Sequence, residues 1–571
     1  MSGDKESYAV LNGGAVRPIK ESIWSSFVNV AKEKPDHIAV ISRDQPTDFL
    51  ASIVGTSPNI PSTGLEWTYS QLIQGALNIA SVFKKHGAKP NSVLLIFLPP
   101  VCAEWPLLWL AANRIGVTLV TIDKRALEPA RVDELTYYIC SLQPGIVVVH
   151  ESSGARAVDK VCAELQHEID CRMALDNAKD VSGWYGLANL DSSLTTDDSA
   201  SGSQHANYDR TAAILYTSGT STGQPKGCSR SERGLIHGWS HHNPIYAGCK
   251  LVMMFANSRA INLTLSSQCL LAGGTMVYLS SGFTPEGLLS VIEEERITEA
   301  IFIPPMLRVL VTHPSFSRER VKSLRRALVG GDVSTADIQD LITEYFPATE
   351  LYPGYAMTEG YWTIGWPSSQ PPNPLPISRG IVASGSILPG SVLKIVNDEG
   401  DIVKRGESGD IHIQSPVMIN TYRGNAAADA FYEDKEGRWF KTGDTGFIDE
   451  ENLLYVVGRK KDIMKRLGIP IPPVLLENVL AQFGGVQASI FDIPNPELGS
   501  EVIAVVSDLT GTTSQRLQDL TVEHLGSDYP ISKVFTLQEL GMQQFPVNVS
   551  GKVMKIGLRK AVEHLLSKAS S

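Results

Sequence analysis

From residue 22 onward the chain alternates helical and strand periodicity. In TYSQLIQGALNIASVFKKHG (68–87), Leu72, Ile73, Leu77, Ile79, Ala80 and Phe83 share one helical stripe, and Gly87 supplies a stop. SVLLIFL (92–98) is a continuous apolar run, the pattern of a strand covered on both faces. AEWPLLWLAANRIG (103–116) returns to helix, VTLVTID (117–123) to strand, and PGIVVVH (144–150) to another buried strand. Such alternation predicts α/β layers with parallel strands. The first 21 residues carry no period and read as a flexible lead, and a Ser-, Asp- and Thr-rich segment, 189–210, reads as an exposed loop. After Gly409 the texture changes to short strands with frequent turns (DIHIQSP, WFKTGD, LLYVVGR), and a smaller αβ unit begins near Arg459. The expected division is a lead over 1–21, a large domain over 22–458 and a small domain over 459–571.

At 571 residues one hydrophobic core is not expected. Fifty Lys and Arg against 61 Asp and Glu give a net charge of −11, which excludes the basic face that a nucleic-acid binder needs. The same balance argues against polybasic recruitment to a membrane. The seven cysteines all lie between Cys102 and Cys269 without a CxxC pair, so reduced thiols in a cytoplasmic compartment are expected, not a disulfide framework or a zinc cluster. The polar N-terminus predicts no secretory leader, and the C-terminal LLSKASS is not a peroxisomal address. The longest apolar stretch, 93–122, is broken by Pro99, Pro100, Glu104 and Arg114, so no membrane span is expected.

Candidate chemistry is concentrated in a few short segments. AAILYTSGTSTGQPKG (212–227) runs from an apolar strand into a loop of Thr217, Ser218, Gly219, Thr220, Ser221, Thr222 and Gly223, followed by Lys226. Glycines let backbone N–H groups turn inward, hydroxyls add donors and the lysine adds charge, a set suited to polyphosphate. The loop lacks the GK[ST] helix start of the P-loop NTPases, because Gly227 follows Lys226. Taken alone, the segment has a lesser alternative reading as a flexible surface loop. GYAMTEG (354–360) sets Thr358, a hydroxyl for phosphate, beside Glu359, a carboxylate for Mg²⁺. FKTGD (440–444) ends in Asp444, which suits ribose hydroxyls. GRKKDIMKRLG (458–468) is a basic stretch at the expected boundary, and FPVNVSGKVMK (545–555) places Lys552 behind a Ser-Gly turn.

Taken in this order, and with ALVGGDVS (327–334) and SGSILPGSVLKIV (384–396), these segments resemble the adenylate-forming superfamily of acyl- and aryl-CoA ligases, peptide-synthetase adenylation domains and beetle luciferases. The resemblance runs from residue 22 to the C-terminus. It implies a large domain of layered α/β subdomains with a smaller β-barrel-like part, and a small mobile α+β C-terminal domain. It implies that the loop from Thr217 to Gly223 and Lys226 hold ATP phosphates, and that Gly331, Asp332, Gly354 and Tyr355 frame adenine. Thr358 would meet the α-phosphate, Glu359 would hold Mg²⁺, and Asp444 and Arg459 would bind ribose. Lys552 would bridge carboxylate and α-phosphate, Lys461 would be the hinge, and Lys465 and Gly468 would enter the site for thioester formation.

The departures from the family pattern are specific. The phosphate loop is one residue longer than TSGTTGxPKG, Ala356 replaces a glycine, Leu467 stands where many CoA ligases carry a lysine, and Asn548 replaces a threonine. In CKLVMMFANSRAINLT (249–264), Phe255 precedes Ala256, where amino-acid-activating relatives place an aspartate for the substrate ammonium and many CoA ligases a histidine. Trp239, His242, Ala256 and Asn257 are the expected acyl-pocket residues. His237 and His241 share a helical face, but with no third ligand nearby in sequence they read as surface or pocket histidines, not metal ligands. The expected activity is ATP-dependent activation of a small carboxylic acid as an acyl-adenylate, then transfer to coenzyme A with release of AMP and pyrophosphate. The rivals are a stand-alone enzyme loading a carrier protein or an amine, and a degenerate nucleotide-binding module.

Overall fold

Along the strand Val93–Leu98, Leu94, Ile96 and Leu98 enter one hydrophobic cluster, and Leu95 and Phe97 enter another. A sheet filled on both faces explains why its strands read as unbroken apolar runs. The computed structural model describes residues 8–16, 18–55, 64–176, 180–187, 207–217, 225–242, 244–366, 370–425, 427–467, 469–546 and 553–569. The chain has a mixed α/β architecture with several sheets. The first large sheet runs in the order Gly227–Ser231, Thr211–Tyr216, Thr118–Asp123, Val93–Leu98, Ile146–Val149, Cys171–Ala174 and Tyr185–Gly186. Its strands are parallel except for the first, which turns back on Thr211–Tyr216 as a hairpin.

The second large sheet has the order Glu350–Pro353, Arg326–Val329, Glu299–Phe302, Lys250–Met253, Thr275–Tyr278, Ile38–Ser42 and Leu65–Thr68. It too is parallel until its last, antiparallel strand. The helices Tyr69–Lys85 and Trp105–Ile115 contribute to the cluster that joins residues of both sheets. Thr68 caps the first of these through a reciprocal box with Gln71, which places its start one residue inside the periodic stretch. Gly116, in the left-handed region, ends the second.

A six-stranded antiparallel sheet follows, in which Gly437–Ile448 pairs with Gly409–Gln414, Phe431–Asp434 and Leu454–Arg459. Its edge is Val10–Asn12, paired with Val392–Val396. Part of the expected lead over 1–21 is therefore a built strand. Three residues are too few to show a period, and the partner lies far along the chain. Arg459 closes the strand Leu454–Arg459, so the chain leaves this sheet just after the boundary read from the sequence. Beyond it come the hairpin Met464–Arg466 with Ile469–Ile471, then a three-stranded sheet of Ala488–Asn495, Gly499–Val506 and Lys533–Thr536. The helices Pro473–Gly484, Ser514–Leu525 and Lys555–Ala569 belong to the same segment. Among the described residues no helix is long and apolar enough to cross a membrane.

One buried carboxyl gives the fold a pH-dependent stability. Glu299 is fully buried, and the backbone N–H of Tyr246 donates to its Oε1 at 2.7 Å. Burial raises its pKa from 4.5 to about 7. Folding thus favours the protonated form, and stability present below pH 4.5 is lost as pH rises through 7. Glu299→Gln keeps the acceptor without the charge. It should stabilise the protein by about 1–3 kcal/mol at pH 8 and by almost nothing at pH 4.5. Denaturant unfolding at the two pH values checks this, and an equal effect at both would contradict it.

Candidate active site

Three loops that carry expected site residues leave the C-terminal ends of parallel strands, where open α/β sheets place ligands. Thr211–Tyr216 leads into the hydroxyl-rich loop, Arg326–Val329 into Gly331 and Asp332, and Glu350–Pro353 into Gly354 and Tyr355. Thr217 and Lys226 close the hairpin at the base of the first loop. The Thr217 N–H donates to the Lys226 carbonyl at 3.0 Å, and the Lys226 N–H donates to Thr217 Oγ1 at 3.3 Å. Ser218, Gly219, Thr220, Ser221, Thr222 and Gly223 lie outside the described residues, as do Gly468 and Lys552.

Two glycines are fixed by geometry. Gly331 has φ +79°, the region that side chains avoid. At Gly354 any Cβ would stand 2.0 Å from a ring atom of Trp362. This lets the backbone cross the indole and sets the direction in which Tyr355, Thr358 and Glu359 follow.

Tyr422, which sequence reading missed, joins two expected residues. Its hydroxyl donates to Glu359 Oε1 at 2.7 Å, and Lys226 Nζ lies 5.4 Å from its ring centroid. Burial first, then the Glu359 charge, drives the phenol pKa far up, so Tyr422 acts there only as a donor. Its bridge to Cys228 brings it beside the strand Gly227–Ser231. No local pattern could signal that tertiary return. Glu359 and Thr358 are half-buried. A carboxylate beside a hydroxyl, with water access, is the hard-oxygen set that suits Mg²⁺ bound together with phosphates.

A second cluster is built on register. Asp444 and Arg459 are opposed on neighbouring strands, and Arg459 Nε lies 3.0 Å from Asp444 Oδ1. The buried Tyr355 hydroxyl donates to Asp444 Oδ2 at 2.5 Å, and the Asp444 N–H donates to Thr442 Oγ1 at 3.0 Å. Burial, then the Asp444 charge, keeps the Tyr355 phenol protonated.

The acyl-pocket candidates are held by different elements. Trp239, on the helix Glu232–His241, packs its ring 6.1 Å from that of Phe27. His242 is 4% exposed, and its Nε2 and the Tyr352 hydroxyl share a hydrogen bond of 2.6 Å. Burial, then the Arg326 charge, lowers its pKa to about 4, so the ring is neutral. The Asn257 N–H donates to the Pro100 carbonyl at 2.5 Å and its side chain to Cys102 Sγ at 3.1 Å, while the adjoining Ala256 is half-buried.

Past the six-stranded sheet, Lys461 lies exposed in the short turn Lys460–Asp462. Lys465 is paired with Asp398 at 3.1 Å, and Lys460 with Asp398 at 2.9 Å and Asp410 at 2.6 Å. These lysines pull the Asp398 carboxyl down to about 2.

The profile of the AMP-binding enzymes matches residues 27–423. The chain belongs to that family. It is 28% identical to an acyl-CoA ligase of Pestalotiopsis microspora, over 95% of this chain and 96% of that protein. It is 27% identical to a 4-coumarate–CoA ligase of Humulus lupulus, over 87% of this chain and 89% of the relative. In fold it is similar to ATP-bound MatB from Rhodopseudomonas palustris, with a TM-score of 0.75 at 22% identity, covering 95% and 99% of the two chains.

Proposed function

We propose that this protein is an AMP-forming carboxylate–CoA ligase. The observation that carries the reading is the bridge through Tyr422, which gathers the Lys226 cation and the Glu359 carboxylate beside the hydroxyl-rich hairpin. The named relatives that align along most of the chain support the acceptor assignment.

In this reading the loop from Thr217 to Gly223 and Lys226 hold the phosphates of ATP. Gly331, Asp332, Gly354 and Tyr355 frame the adenine, and Asp444, oriented by Tyr355 and Arg459, accepts from the ribose hydroxyls. Glu359 would hold Mg²⁺, which supplies charge neutralisation on the phosphates. A carboxylate oxygen of the acid attacks the α-phosphorus, an acyl–O–P bond forms and pyrophosphate leaves. Lys226, Thr358 and Lys552 position the two anions and offset their repulsion. The thiol of coenzyme A then attacks the acyl carbon, the thioester forms, and AMP leaves with the bridging oxygen. The small domain pivots at Lys461 between the steps and brings Lys465 and Gly468 to the site. The compartment proposed is the cytoplasm, in keeping with seven free cysteines.

The half-buried Ala256 offers no anion to a substrate ammonium, and burying an unpaired charge is costly. Simple acids should therefore release pyrophosphate far faster than the matching α-amino acids. Phenylpropionate against phenylalanine, within a wider acid panel, checks this. A preference for the amino acid would overturn the pocket assignment, and no turnover with any acid would favour a degenerate module.

A further inference from the structure

The segment 356–360, which carries Thr358 and Glu359, is irregular and makes no strand ladder of its own. From one side it is held by the Ile419 N–H, which donates to the Glu359 carbonyl at 2.8 Å, and by the Tyr422 hydroxyl on Oε1. From the other side it is held by Arg230. One terminal nitrogen of this guanidinium, Nη1, donates to the Thr358 carbonyl at 3.3 Å and also to the Gly360 carbonyl. Arg230 thus grips the residues on both flanks of Glu359.

The choice of arginine there is unusual on physical grounds. Arg230 is 3% exposed, and among the described residues it forms no salt bridge. Its Nη2 has no hydrogen-bond partner among the described residues. A cation buried on carbonyl dipoles, with the Glu359 charge favouring it only from beyond ion-pair distance, costs several kcal/mol, and an apolar side chain of similar size would avoid that cost. Burial lowers the guanidinium pKa only to about 10, so the charge persists at neutral pH. Arg230 lies on the strand Gly227–Ser231, which begins immediately after Lys226, and shares a face with Cys228. The half-buried Lys226 cation thus stands just ahead of this short strand, and the strand itself carries a buried cation against the Glu359 turn.

We propose that Arg230 is a positioning residue for MgATP: it clamps the carbonyls flanking Glu359, so that the Glu359 carboxylate and Thr358 hydroxyl keep one orientation, and it sets a fixed positive charge beneath the phosphates. This rests on the ATP-using reading above. In a low-dielectric surround such a charge acts over the few ångströms that separate it from the turn. Both carbonyl contacts come from one nitrogen, so lysine can supply the charge and the donors but with a shorter reach, and methionine supplies volume without either.

The test is calorimetric titration of the full chain with ATP, in Mg²⁺ and in EDTA, for wild type, Arg230→Met and Arg230→Lys, beside pyrophosphate-exchange kinetics and melting curves. Arg230→Met should weaken ATP binding in Mg²⁺ about tenfold or more, as loss of a charge-assisted contact does. The Mg²⁺ needed for half-maximal exchange should rise by a similar factor, while the KM for the acid changes less than about twofold. Arg230→Lys should recover part of the affinity, and it carries the test if Arg230→Met fails to fold. Folded variants with wild-type ATP affinity and Mg²⁺ requirement would overturn the clamp. A wild type that binds no ATP would overturn the functional reading and the clamp with it.

Discussion

Lys552→Ala should reduce adenylate formation by about 10²–10³, the loss expected when one preorganised charge donor is removed from a developing anion. The lysine is assigned to the bridge between the substrate carboxylate and the α-phosphate, a contact needed only while those two anions are brought together. Thioester formation from supplied acyl-adenylate should therefore fall much less. The position follows from FPVNVSGKVMK (545–555), just ahead of the helix Lys555–Ala569, whose Lys555 is tied to Glu477 and the Ile490 carbonyl at 2.8 Å. An ordinary surface lysine would leave both half-reactions intact and change stability by at most about 0.5 kcal/mol. Pyrophosphate exchange and thioester formation measured separately distinguish the cases, and an equal loss in both would remove the bridging role.

Lys461→Pro should uncouple the half-reactions in the opposite sense. The groups assigned to the two steps, Lys552 for the first and Lys465 with Gly468 for the second, all lie beyond Arg459. The proposed mechanism therefore has one small domain present two faces, with a few dihedrals near the boundary absorbing the rotation. Lys461 sits exposed in the turn Lys460–Asp462, immediately after the strand that Arg459 closes. Proline fixes φ near −65° and biases the preceding Lys460 toward extended backbone. Lys460 is also held by Asp398 and Asp410, so the turn has little room to compensate. Adenylate formation should persist substantially, thioester formation from pre-made adenylate should fall severely, and the melting temperature should stay near wild type. Parallel loss of both activities would take Lys461 out of the hinge role.

What the sequence made legible depended on how local each signal was. The strand Val93–Leu98 and the helix Tyr69–Lys85 were readable because burial on two faces, or on one stripe, leaves a periodic trace in consecutive residues. The pairing of Asp444 with Arg459 was readable only through family resemblance, although the structure gives it a plain cause in strand register. Val10–Asn12 was missed because its partner, Val392–Val396, is remote in sequence. Tyr422 and Arg230 were missed for the same reason, since one reaches Glu359 and the other its flanking carbonyls from a different part of the chain. His242, read as a pocket histidine, is engaged by Tyr352 in the interior, a contact that no helical periodicity could display.

The central claim is that a carboxylate oxygen attacks the α-phosphorus and later departs with AMP. A reaction of the wild-type chain with MgATP, coenzyme A and a turned-over acid labelled with oxygen-18 in its carboxyl group tests it most directly. The account predicts an acyl-CoA product and AMP carrying one oxygen-18 atom, with unlabelled pyrophosphate. ADP with labelled phosphate, or a thioester formed beside unlabelled AMP, would contradict it.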